Sequence, residues 1–550
     1  MLRLTLPVTP PGAPPCLTRA GWIVAGIAIG LLLVPLLGFP IGPDQSAFFI
    51  SAQRILRGAI YYRDVIDVKP PAIHYIYAAA IALFGERESS IALFDLLLQG
   101  STCWLMIALV RKVSGNDLLA ILSAALYAIL YVGMNFQNIA QPESFTGLIS
   151  LAMVHLLLYR RTPSGYLLIG ALGGLLFLLK FTLGIVLAGV LLAELAVFGT
   201  SWRALLRSLS ICAVGFVAVA SFAVIYPAAF HVWPEFMVMR RFTTEYARLQ
   251  WAHPAALLKT ILKQIPESVS EHYSILLLIA TAAGMGVTLR PTRPGQREMW
   301  RLTGICVSMM LVLLLSVCIE GRFYIYHFGR IYPFGAILSA IGLAALARKA
   351  RTMDLRSPYA LLIALATLAG ALLYGPLFHY GWWSVPIAMR VTGGEAAFDR
   401  YYGRLADGLS RTELKTIGGY VRRHAAPGDR LFVAGNVAGM VYYHAGQLPD
   451  LPVLFSPSVA MGSAPRAWID ETTAYIRTRQ PRFIVTQRDD AREDQTGLML
   501  SSDQLFQGLA GMRDILRARY VLRTQTAVFD LYERSSDTTG SITAQPEVSP

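Results

Sequence analysis

Residues 69–84 read KPPAIHYIYAAAIALF, and the course of this stretch decides the fold. Pro70 and Pro71 stiffen its start, and the apolar run Pro70–Phe84 is shorter than the roughly 20 residues a membrane span needs. It reads as a re-entrant or interfacial helix. Longer apolar runs cover 20–38, 91–110, 117–134, 140–159, 165–180, 182–198, 206–229, 272–289, 301–319, 328–347 and 358–378, about eleven spans. If 70–84 does not cross, one side receives Arg3 with Arg19, Arg111-Lys112, Arg160-Arg161, Arg203 with Arg207, Arg290 with Arg293 and Arg297, and Arg348-Lys349-Arg351. Short basic loops mark the cytoplasm. If 70–84 crossed, the later clusters would change sides and the pattern would break.

The opposite side then receives Asp44 to Lys69, the Gln137–Glu143 turn, the Lys180 turn, a long loop His231–Glu271, the Glu320–Tyr332 segment and everything after Phe378. Composition agrees with a polytopic membrane protein. Of 550 residues, 55% are hydrophobic and only 15% charged, against about 25% charged in soluble domains. The net charge is +14, yet residues 390–550 carry 19 Lys/Arg and 18 Asp/Glu, so the surplus lies in the membrane part. It reads as positive-inside topology with an anionic ligand. No solvent-facing basic stripe suits nucleic acid. Cys16, Cys103, Cys212, Cys306 and Cys318 are scattered, with no disulfide framework and no metal spacing. The basic, Pro-rich start followed by the first apolar run reads as a signal anchor.

The expected domains are a membrane domain over 1–389, an outer α/β domain over 390–534, and a Ser/Thr/Pro-rich tail over 535–550 expected to be disordered. In the outer domain, Thr412–His424 and Trp468–Arg479 read as helices, and Arg430–Ala434 and Arg482–Thr486 as strands. Val521–Tyr532 alternates like one edge strand, the last of the sheet.

Ionisable groups at a membrane interface are costly to place and therefore mark functional sites. Asp44 lies just beyond the first span, in the first polar segment, which is expected to be water-exposed. A carboxylate there can act as general base toward a hydroxyl. Glu143, in Gln141-Pro142-Glu143, reaches the same face and makes an acid–base or substrate-orienting pair with it; the bland reading is a helix N-terminal charge. Lys69 points out of the proline turn. Arg322, His327 and Arg330 lie in EGRFYIYHFGRIYP, Glu320–Pro333. Such cations suit a lipid-linked phosphate or diphosphate, whereas Arg330 taken alone reads as a headgroup-snorkelling side chain. Asp64, Asp67, Lys180 and Arg330 are secondary candidates.

An Asp after the first span, YYRDVIDVKPPAIHYIYA at 61–78, QPESF at 141–145, LLKFT at 178–182 and EGRFYIYHFGRIYP at 320–333 together resemble the ordered landmarks of GT-C glycosyltransferases of family 39 type. That group includes bacterial relatives of protein O-mannosyltransferases and of the lipid A aminoarabinose transferase. GDRLFVAGNVAGMVYYHAGQLP at 428–449, with PRFIVTQ at 481–487, resembles the outer domain of many bacterial members. The resemblance implies an α-helical polytopic membrane protein of GT-C fold with a catalytic first outer loop. It implies inverting transfer of a hexosyl or pentosyl unit from a polyprenyl-phosphate donor to a lipid, glycan or protein acceptor at the outer face of the bacterial inner membrane. By position, Asp44 is then the base and Glu143 the acid of the second outer loop. Lys69 and Arg322 hold the donor phosphate, with His327 nearby. Gln45 follows Asp44 where several relatives carry a second acid, so no obligatory metal and no cofactor is expected. The alternative is a transporter or flippase of a lipid-linked saccharide. No internal repeat supports it, and the charges sit at the outer edge instead of the midplane. A non-catalytic assembly protein is a third reading, against which an intact Asp44 and Lys69 argue.

Overall fold

The computed structural model describes residues 17–251, 254–269, 273–288, 297–350, 362, 375–405, 410–460, 464–491 and 499–535. Of the span expected over 358–378, only residues 362 and 375–378 are among the described residues. The Arg290–Arg293 loop and the tail from 536 lie outside them.

Ten of the expected spans have a helix. Six are long and apolar enough to cross a membrane: Arg19–Gly38, Glu88–Ser114, Pro142–Tyr159, Trp202–Ala229, Arg297–Glu320 and Ile325–Arg348. Asp117–Gly133, Pro163–Leu179, Phe181–Ala196 and Ile275–Gly286 are shorter apolar helices. Ala72–Phe84 is a 13-residue helix behind the two prolines, ended by Gly85 at φ 92. Large apolar side chains such as Ile23, Val24, Trp104, Val214 and Val217 stay exposed on the long helices, the surface of a bundle solvated by lipid.

Two expectations about outer segments change. The polar segment after the first span is not simply water-exposed. Residues Pro43–Leu56 form a helix with Pro43 in its first turn, and Phe48, Phe49, Ile50 and Ala52 turn inward. The helix buries against two bodies: Phe48, Phe49 and Ala52 join the membrane core, and Ile50 joins the core of the α/β domain. The segment His231–Glu271 is likewise largely helical, Trp233–Trp251 followed by Pro254–Ser268.

One close helix pair shapes the neighbourhood of the site. Pro163–Leu179 packs on Trp202–Ala220 where a Cβ at Gly170 would collide with the Cys212 carbonyl, and one at Gly215 with the Leu167 carbonyl. Glycine allows the backbones to touch. Phe177 and Phe216 meet edge to face just beyond, with centroids 5.5 Å apart.

The outer domain carries a four-stranded sheet in the order β1-β2-β4-β3: Leu431–Ala434, Phe483–Gln487, Tyr520–Gln525 (β3) and Phe529–Arg534 (β4). β1 and β2 are parallel, and β4 is antiparallel to both β2 and β3. The run expected as one edge strand, Val521–Tyr532, is a hairpin instead. Thr526 turns the chain, its hydroxyl accepting from Phe529 N at 3.0 Å. The alternation breaks at the turn, where four polar residues, Arg523–Thr526, are followed by three apolar ones, Ala527–Phe529.

The helix Pro376–Leu405 runs through residue 389 and breaks its geometry at Gly394, φ 68. The outer domain then sits directly on the first outer segment. Ile50 joins the cluster of Leu414, Val441 and Phe483. Arg54 donates to the Leu451 carbonyl at 2.8 Å, and Ile66 N to the Pro452 carbonyl at 2.9 Å.

Candidate active site

Asp44 stands in the first turn of the Pro43–Leu56 helix, where the helix dipole favours a carboxylate. Its Oδ2 accepts from Lys69 Nζ at 3.0 Å; the Asp44 side chain is 41% exposed and that of Lys69 only 12%. A web of local bonds aims the lysine. Lys69 N donates to Asp67 Oδ1 at 3.1 Å. Its carbonyl accepts from the Tyr61 hydroxyl at 2.7 Å, and that hydroxyl lies 3.1 Å from His74 Nε2. The ammonium also lies over the Phe48 ring, 4.6 Å from its centroid. Burial disfavours the charged lysine, but Asp44 and Asp67, with Glu143 further off, outweigh it and hold the pKa above the ordinary lysine value. Asp64 is a turn-former: it accepts from Ile60 N at 2.7 Å and pairs with Arg63.

A second charged cluster lies beside the first. Lys180, extended after the Pro163–Leu179 helix, places Nζ 2.6 Å from Glu143, 2.7 Å from Glu320 and 3.0 Å from His327 Nε2. Arg330 donates to Glu143 at 2.8 Å, to Glu320 at 2.8 Å and to Ser316 at 2.6 Å. The Arg330 side chain is 0% exposed. It does not snorkel, because two buried carboxylates offer it better partners than the headgroup region. His327 is oriented by its Nδ1 contact with the Arg322 carbonyl. Arg322 itself is buried.

The structure thus brings Asp44 and Lys69 together, and gathers Glu143, Lys180, His327 and Arg330 into a neighbouring cluster. His327 is engaged with that cluster and not with Lys69. Glu143 does not pair with Asp44; it is locked by two cations. Glu320 is the member that sequence reasoning did not single out. Its signal is an acid closing an apolar helix, two residues before Arg322. Glu143, Glu320 and His327 offer ligand atoms within 4.8 Å of one another, the donor types of a metal site. The Lys180 ammonium already lies between them, so this set holds a metal only with Lys180 displaced.

Lys69 and Asp67 also face a cavity of ≈ 540 Å³. Its walls are mostly apolar, among them Phe177, Phe181, Phe216, Val224, Trp233 and Phe236. Arg240, with Thr243 and Thr244, lines it from the Trp233–Trp251 helix. Sequence reasoning missed Arg240 as well; the Arg240-Arg241 doublet on an outer amphipathic helix was its only sign.

Residues 68–227 match the family described as dolichyl-phosphate-mannose-protein mannosyltransferase. No curated protein matches the sequence. In structure the chain is similar to ArnT from Cupriavidus metallidurans bound to undecaprenyl phosphate, with TM-score 0.60 and 14% identity over 96% of this chain and 100% of that one. The apo state of ArnT gives 0.58 and 13% identity over 95% and 99%. The Archaeoglobus fulgidus oligosaccharyltransferase, in complex with zinc and sulfate, gives 0.49 and 14% over 93% and 73%.

Proposed function

We propose that this chain, a membrane glycosyltransferase of the GT-C fold, moves a sugar from a polyprenyl-phosphate donor to a hydroxyl on a lipid, glycan or protein acceptor, with inversion. The observation that carries the reading is that Lys69 both pairs with Asp44 and lines a mostly apolar groove. The groove suits a prenyl chain, and Lys69 and Arg240, which both line it, suit its phosphate. ArnT, of similar fold, was crystallised with undecaprenyl phosphate.

In this reading the Asp44 carboxylate takes the acceptor's proton as the oxygen attacks the anomeric carbon. The bond from that carbon to the phosphate oxygen breaks, and polyprenyl phosphate leaves with the electron pair. Charge grows on the departing oxygen, so an ammonium beside it stabilises the transition state more than the ground state. Lys69 touches the base and faces the groove, which brings the base close to the reacting carbon. The lysine and arginine supply the positive charge, and no metal is required. Glu143 and its cluster hold the outer segments around the centre; Arg322 is a further cation for the phosphate. The site lies at the outer face of a bacterial inner membrane, with the N-terminus cytoplasmic and the α/β domain periplasmic.

The test is transfer by purified protein from a panel of polyprenyl-phosphate sugars. Asp44→Asn keeps the size of the side chain and removes its basicity, and turnover should fall about 10²–10⁴-fold with normal expression and insertion. Wild-type turnover in Asp44→Asn would move the base elsewhere. Movement of a lipid-linked saccharide across vesicles without transfer would replace the enzyme with a flippase.

A further inference from the structure

The residue after Asp44 has a distinct task. Gln45 is 3% exposed, and its Nε2 donates to two backbone carbonyls, Phe136 at 2.7 Å and Ile139 at 2.8 Å. Both carbonyls belong to the turn that leads into Gln141-Pro142-Glu143. Two residues of this turn are left-handed, Asn135 at φ 74 and Ala140 at φ 52. Asparagine tolerates that geometry; alanine is strained in it. Ala140 is held there from both sides, its N–H donating to the Tyr131 hydroxyl at 3.1 Å and its carbonyl accepting from the Tyr77 hydroxyl at 3.0 Å. A strained turn held from several directions has a defined position to pass on.

Gly42 makes the connection possible. A Cβ there would collide with Gln45 Oε1 and come within 3.1 Å of Gln137 Cα. Among the described residues Oε1 meets no donor, so the amide's contribution lies in its two N–H groups. An ionised glutamate would present oxygen to two carbonyls and donate nothing.

We infer that Gln45 is a positioning residue: its amide ties the Asp44 helix to the second outer turn and holds the base in place for transfer. This rests on the function proposed above. Asp44 is the next residue along the chain, so a shift of Gln45 moves the base directly. A misplacement near 1 Å costs about 100-fold in rate.

The experiment uses the full chain purified in detergent, wild type beside Gln45→Glu, Gln45→Met and Gly42→Ala. Turnover of all three should fall about 10- to 100-fold, with the donor KM unchanged within about twofold. In Gln45→Glu the deficit should shrink as pH falls from about 8 to about 5.5, because a protonated carboxyl regains one donor. In Gln45→Met it should not change with pH. Hydrogen exchange over residues 134–145 should be at least about tenfold faster in the Gln45 variants. Unchanged exchange there overturns the tie whether or not sugar is transferred. Wild-type turnover in Gln45→Glu and Gln45→Met, or a loss confined to donor KM, overturns the positioning role. Failure of both Gln45 variants to fold overturns it too, since the bond would then serve folding. A wild type that transfers no sugar sinks the proposed function alone, and the exchange data still decide on Gln45.

Discussion

At the residue scale, Lys69 is a part-buried cation and Arg330 a fully buried one, both paired with carboxylates, and their surroundings give them opposite jobs. Lys69 has one partner carboxylate at its ammonium and a groove beside it. A charge-assisted hydrogen bond is worth about 1.5–3 kcal/mol. Lys69→Ala should therefore cost about 10- to 150-fold in turnover, and Lys69→Arg should recover only part of it, because a forked guanidinium is not a point charge. Steady-state assays decide: unchanged turnover and donor KM in Lys69→Gln would remove the lysine from the site. Arg330 is enclosed, with Glu143, Glu320 and Ser316 taking its donors. Removing one partner from a buried ionic cluster leaves charge uncompensated, at about 3–5 kcal/mol. Arg330→Met should lower the melting temperature in detergent sharply, with Arg330→Lys intermediate. A melt within a degree or two of wild type would show that Lys180 alone can balance both acids.

At the element scale, the decisive contact joins the outer domain's short helix Ala438–Ala445 to the Asp44 helix. A Cβ at Gly439 would lie 2.7 Å from Ser46 Oγ and 2.8 Å from Ala47 N. The missing side chain lets one helix rest on the backbone of the other, two residues from the base. Gly439→Val should push the Asp44 helix out of register and lower turnover about 10- to 100-fold. The outer domain should keep its fold, because Val441 and Leu431, which form its core, are untouched. Normal turnover in Gly439→Val, measured beside near-wild-type circular dichroism, would free the base from the outer domain. A second contact of this kind joins Trp468 to Phe242, with centroids 5.2 Å apart, on the helix that carries Arg240.

At the scale of the whole molecule, an ionic clamp spans the two domains. Glu88, at the start of a long membrane helix, accepts from Arg411 of the outer domain at 2.9 Å, and Arg411 also binds Glu395 at 2.8 Å. Burial works against the Glu395 carboxylate, but Arg411 and Arg390 outweigh it and draw its pKa down to about 2. The clamp keeps its charge through neutral pH. Glu88 and the Arg111-Lys112 pair stand at opposite ends of one helix, so the clamp puts the α/β domain at the end away from that basic pair. A reporter active only in the periplasm, fused after Ser535, should be active, and a signal from a cytoplasm-only reporter there would sink the proposed orientation and the shared outer face with it.

The membrane class, nearly all the helices, the short helix behind Pro70-Pro71 and the α/β character of the outer domain were legible in the sequence, because hydropathy and periodicity are local properties. Asp44, Lys69 and Glu143 were legible as candidates for the same reason: charge beside a span is conspicuous. Partnership was not. Glu143 and Arg330 lie 187 positions apart, and their bond exists only because packing closes the bundle around both. The same holds for Gln45, which resembles any polar residue until two carbonyls 91 and 94 positions away face it. The reversal inside Val521–Tyr532 left only a break in alternation, a polar run at 523–526 before an apolar run at 527–529, with neither Gly nor Pro to mark a turn. Which carboxylate faces a groove and which is sealed by two cations is decided by desolvation in the folded bundle, and no stretch of chain carries that by itself.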